Sequence, residues 1–259
     1  MENFDALLGR DFDGNPVEEP NEVVFAGLAD PRHQERVPRL VEIMLDEASP
    51  PFHRLAACTA LAGWGERAGY AMVVETARDP RSAPWYGISV DRRYSVDDTF
   101  SAFATALDVS DEICRVKGTC EQRREALRAL VRVADTEYFD DKLDQAFDPD
   151  DAKAAAADLV DTVNRGIDTL SAGGRPRFDL VSQLLDLVAV LVEASEPEAV
   201  ELAFRLLELD HSPQVLAHAV AVVTRGAQEE SRLFGEHLGL VGGERTRARV
   251  DEALAFRAR

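Results

Sequence analysis

The residues with the clearest chemical spacing are Asp140, Asp141 and Asp144, which with Lys142 and Leu143 spell Asp-Asp-x-x-Asp. On a helix, Asp140 and Asp144 would share one face, and their carboxylates could hold a Mg²⁺ ion that carries a diphosphate. That chemistry also needs a second acidic motif opposite the first and cations to neutralise the phosphates. No second aspartate-rich or Asn/Ser/Glu cluster has the spacing, and the only cations between residues 135 and 161 are Lys142 and Lys153. The simpler expectation is a solvated acidic face, so no metal ligand, cofactor or catalytic residue is assigned.

Other reactive side chains are scattered. His33, His53, His211, His218 and His237 form no His-Glu-x-x-His pattern, and Pro213 breaks the helical register between His211 and His218. Structural or surface roles are expected for all five. There is no Gly-x-Ser-x-Gly elbow and no phosphate-cradling glycine loop. Cys58, Cys114 and Cys120 are odd in number, and no histidine lies near Cys114 and Cys120 in sequence. These features predict buried, unpaired thiols in a reducing compartment rather than a disulfide framework or a zinc hairpin.

The stretch from about 81 to 97, RSAPWYGISVDRRYSVD, interrupts an otherwise helical rhythm. Loops of this length inside a compact helical array are uncommon and often functional. Trp85, Tyr86, Arg92, Arg93 and Tyr94 are of the types enriched at binding hot spots, so they are the candidate partner-binding residues. The competing reading is a structural plug whose aromatics pack on neighbouring helices.

The elements around these residues read as helix after helix. Val37, Leu40, Val41, Met44 and Leu45 lie on one stripe, and Leu55, Cys58, Thr59 and Ala62 lie on the next. Tyr70, Val73, Val74 and Ala77 follow, stopped at Asp79-Pro80. Later stripes run through Phe100–Leu107, Leu127–Ala134, Leu159–Leu170, Val200–Leu207, Val215–Val223, Leu233–Leu238 and 245–256. Leu180, Leu184, Leu187, Val188 and Leu191 give the most apolar helix, which is expected to be central. Strand alternation is absent. Residues 1–22 read as a peripheral segment, with Phe4, Leu7 and Leu8 able to dock as a short helix. Residues 23–259 read as a single domain.

The chain of 259 residues carries 48 acids against 29 bases, a net charge of −19. Such a surface repels nucleic acid and anionic membrane and suits a basic protein partner. Nearly all the cations are arginine, which fits a GC-rich genome. No apolar run is long enough for a membrane span, and the acidic N-terminus lacks the order of a signal peptide, so a cytoplasmic location is expected.

PFHRLAACTALAGWGERAGYAMVVETARDP and EPEAVELAFRLLELDHSPQVLAHAVAVVTRG carry a further likeness. These segments, helices broken by Gly, Pro or Asp, resemble degenerate repeats of the HEAT/armadillo class of α-solenoids, over about half the chain. The resemblance implies an all-α, irregular superhelix of stacked antiparallel hairpins that binds a partner on a concave face. A non-catalytic protein-binding scaffold or adaptor follows, with an immunity-type inhibitor of a toxin as one version. Two enzyme alternatives stand beside it. Trp85, Arg92, Arg93 and Asp97 could imitate the site of the DNA base glycosylases that share a HEAT-like scaffold. The motif at 140–144 resembles that of the all-helical, Mg-dependent isoprenoid synthases. Partner identity and oligomeric state are left open.

Overall fold

The computed structural model describes residues 4–257. Among these the fold is all-α, with fourteen α-helices, two short 3-10 turns and no strand beyond two isolated bridges. The chain divides into two compact units, residues 1–130 and 131–259.

The first unit contains α1 (Phe4–Leu8), α2 (Pro20–Ala29), α3 (His33–Leu45), α4 (Pro51–Gly63), α5 (Arg67–Arg78), α6 (Thr99–Val109) and α7 (Asp111–Lys117), and most of α8 (Cys120–Val131). Helix α4 is buried along its whole length from Leu55 and packs against α2, α3, α5 and α6. It is rich in alanine, which lets four neighbours approach closely without leaving voids. The N-terminal segment is anchored. Leu7 and Leu8 are buried, and the Arg36 guanidinium donates to the carbonyls of Leu7, Arg10 and Asp11 while lying 4.2 Å from the Phe12 ring centroid. Helix α2 was not expected from the sequence, because its apolar residues are contiguous rather than spaced. It is fixed by Glu22, which accepts from the amides of Glu18 and Glu19, and by the Trp64 indole, which donates to the Val24 carbonyl at 2.9 Å.

In α3 the buried stripe is His33, Leu40, Ile43 and Met44, whereas Leu45 is exposed. The buried stripe is rotated from the expected one along the helix, with His33 and Ile43 inside, Val37 and Val41 half-buried and only Leu40 and Met44 shared. One expectation about the cysteines is corrected outright. Cys114 and Cys120 form a disulfide, with Cα atoms 4.9 Å apart. Gly118, left-handed at φ 65°, reverses the chain between α7 and α8 and brings the two sulfurs together. Cys58 remains a free, buried thiol whose pKa burial pushes up.

The second unit contains α9 (Pro149–Ser171), α10 (Leu180–Leu191), α11 (Glu196–Leu209), α12 (Pro213–Arg225), α13 (Glu229–Val241) and α14 (Glu244–Arg257). The sequence placed α10 at the centre, and it is there, packed against α9, α11 and α12 with nearly every side chain buried. Asp186 is the one charged residue within it. Successive helices pack on one another here as well, α10 on α11, α11 on α12, α12 on α13 and α13 on α14. No helix among the described residues is long and apolar enough to cross a membrane.

Candidate functional site

The insertion between α5 and α6 is an ordered loop. It starts with a 3-10 turn at Pro80–Ser82, and Ala83 and Trp85 carbonyls then accept from the amides of Tyr86 and Ile88. Val90 and Asp97 form an antiparallel bridge, and the Asp91 amide donates to the Val96 carbonyl at 2.9 Å. Asp91 also accepts the Tyr94 amide through its side chain, which shapes the tip. The Asp97 carboxylate accepts from the Gly87 amide and from both the amide and hydroxyl of Thr99, so it pins the loop's return to the start of α6.

The five candidate binding residues separate in this loop. Trp85 is buried, 1% exposed, edge-on to Phe103 with centroids 6.5 Å apart and with the Arg54 guanidinium 5.8 Å from its ring. The indole belongs to the core of the first unit and is the root of the loop, not its contact surface. Tyr86 and Tyr94 are half-buried, and Arg92 and Arg93 are exposed, with Arg93 4.8 Å from the Tyr94 ring. Two residues that sequence reasoning passed over join them, since Ile88 and Val90 are each about half exposed on the same loop. Rigid apolar area with adjacent guanidiniums is suited to binding another protein surface. Of the four residues set beside the DNA base glycosylases, Trp85 is buried and Asp97 accepts three hydrogen bonds within the loop.

The Asp-Asp-x-x-Asp stretch departs from the helical spacing expected of it. Asp140 and Asp141 sit in a turn with φ of 49° and 55°, and Asp144 lies in the following 3-10 turn, Leu143–Ala146. Asp140 and Asp144 therefore share no helical face. The turn is tied to α10 by the buried Gln183, whose amide donates to the carbonyls of Ala134 and Glu137 and whose oxygen accepts the Phe139 amide. This tether carries Asp141 and Asp144 toward the one acid of α10, Asp186, and toward the facing side of α12.

There the side chains converge. His218 Nδ1 lies 2.8 Å from Asp186 Oδ1, and the Arg225 guanidinium, two turns further along α12, donates to Asp144 Oδ2 at 3.0 Å. Asp141, Asp186 and His218 each place one donor atom within 4.8 Å of the others. The second oxygen of Asp186, Oδ2, is sealed from solvent and has no hydrogen-bond partner. Burial raises the Asp186 pKa, and burial and the nearby Asp186 charge push Asp144 up to about 6 against the pull of Arg225. The hydrogen bond with Asp186 raises His218. Three carboxylates thus crowd one space, with the Arg225 guanidinium paired to one of them. Sequence reasoning assigned no metal ligands and gave His218 a structural or surface role. The one local signal it overlooked was an aspartate inside the most apolar helix.

No protein-family model, no curated protein and no solved structure matches the chain.

Proposed function

We propose that this chain is a non-catalytic protein-binding scaffold, of HEAT/armadillo-like helical-hairpin type, that engages a protein partner of net basic charge, with Arg92 and Arg93 of the loop meeting acceptor groups on it. The observation that carries the reading is the ordered 83–98 loop, rooted by a buried Trp85 and presenting Ile88, Val90, Arg92 and Arg93 outward. A loop already held in one conformation loses little entropy on binding, so its contacts translate efficiently into affinity. Charge supports the choice of partner, since a net −19 favours encounter with a cationic protein and disfavours nucleic acid. Packing of each helix on the next from α9 to α14 in the second unit supports the repeat-like reading.

The test is to recover the partner by affinity purification and then to measure its affinity for the Ile88→Ala/Arg92→Ala variant beside the parent. Loss of an interface anchor weakens binding by roughly 30-fold. Exposed loop substitutions leave the melting temperature within about a degree or two. Unchanged affinity would show that recognition lies elsewhere on the surface.

A further inference from the structure

We infer that Asp141, Asp186 and His218 form a binding site for one divalent first-row transition cation such as Zn²⁺ or Mn²⁺, clipping the turn around residue 140 to α10 and α12. One imidazole nitrogen and two carboxylate oxygens come from three separate elements and lie within 4.8 Å of one another. Ligand bonds of about 2.0–2.2 Å require donors roughly 3.0–3.4 Å apart in tetrahedral or octahedral geometry. The 2.8 Å between His218 Nδ1 and Asp186 Oδ1 therefore opens slightly, and the longer separations close by an ångström or so. Asp141 is exposed and sits on a turn, so it is the ligand best able to make that movement.

A second, independent observation points to a missing partner. Asp186 Oδ2 is buried without a hydrogen bond. A carboxylate oxygen held out of water with nothing to bind is costly, and a cation held by both oxygens of Asp186 would satisfy it. Asp144 is not needed as a ligand, because Arg225 already occupies it. Its role is to hold the floor of the site in place, as outer-shell pairs do. The mixed imidazole and carboxylate set selects against Mg²⁺ and Ca²⁺, which prefer all-oxygen shells. Three protein donors also leave at least one coordination position for water or for a group on a partner.

The test uses the full chain, stripped with a chelator and titrated calorimetrically with ZnCl₂, MnCl₂ and MgCl₂ separately. The expected result is saturable binding of one Zn²⁺ or Mn²⁺, with a raised melting temperature, because the ion binds only the folded arrangement. Asp141→Asn should weaken that binding by about 100-fold or more, beyond the loss caused by removing an outer-shell partner. Asp141 is exposed, so this variant keeps its circular dichroism spectrum. His218→Gln provides the second reading and should abolish the preference for Zn²⁺ over Mg²⁺. Absence of saturable binding would overturn the inference. So would binding that both variants retain, or binding of Mg²⁺ as tight as Zn²⁺, since either would reflect a diffuse acidic surface.

Discussion

At the scale of single residues, Trp85 shows how composition can mislead about role. An aromatic in a long loop with arginines has the makeup of a binding anchor, yet this ring fills the space beside Phe103 and leaves the surface to Ile88, Val90, Arg92 and Arg93. Trp85→Ala is expected to cost about 3–5 kcal/mol of stability by emptying that space. A denaturant titration gives the value, and a midpoint equal to the parent's would mean that the ring is not packed as described. The cysteines teach the same lesson in reverse. Their spacing gave no reason to pair Cys114 with Cys120, because the pairing depends on a left-handed turn at Gly118 and not on the cysteines themselves.

At the scale of elements, two helix contacts set measurable expectations. Leu184 is fully buried on α10 and faces Gly166 of α9, where an added Cβ would come within 2.5 Å of Leu184 Cδ1. Leu184→Ala should destabilise by about 2–5 kcal/mol. Gly166→Ala should be tolerated better in the Leu184→Ala background than in the parent, because the methyl then enters vacated space. Additive free energies in that double-mutant cycle would count against the contact. The second contact is Glu196, at the start of α11, whose carboxylate accepts from the amides of Ala227, Gln228 and Ser231 and so caps α13. Burial raises its pKa, but these hydrogen bonds outweigh that and hold it below the usual glutamate value. A depressed folded-state pKa means that the contribution is present above the unfolded value, near pH 4.5, and is lost as pH falls through the folded one. Glu196→Gln should cost about 1–2 kcal/mol at neutral pH. The difference from the parent should then shrink on acidification below about pH 4.5. A constant difference down to pH 3 would remove Glu196 as the cap.

At the scale of the whole molecule, net charge governs encounter more than fold. The chain carries 48 acids against 29 bases, so a basic partner is steered toward it from beyond contact distance. The association rate should therefore fall by about tenfold or more as salt rises from roughly 0.02 to 0.5 M, while the dissociation rate changes little. Stopped-flow or surface-plasmon measurements at several salt concentrations separate the two rates. An association rate indifferent to salt would leave the acidity as a matter of solubility alone.

The sequence by itself determined the helical class, most of the helices and the central position of α10, because apolar spacing and Gly, Pro and Asp stops act within a few residues of one another. It also located the 81–97 interruption, a local break in that spacing. Helix α2 escaped it, since a contiguous apolar run lacks the helical period and α2 is fixed by partners outside its own stripe, the Glu22 cap and the distant Trp64. Which way each loop residue faced was decided only by the tertiary structure, since burial of Trp85 depends on Phe103 of α6 and Arg54 of α4. The convergence of Asp141, Asp186 and His218 was likewise invisible in one dimension. It arises when Gln183 tethers the turn to α10 and α12 packs alongside, which places donors from three separate elements around one point.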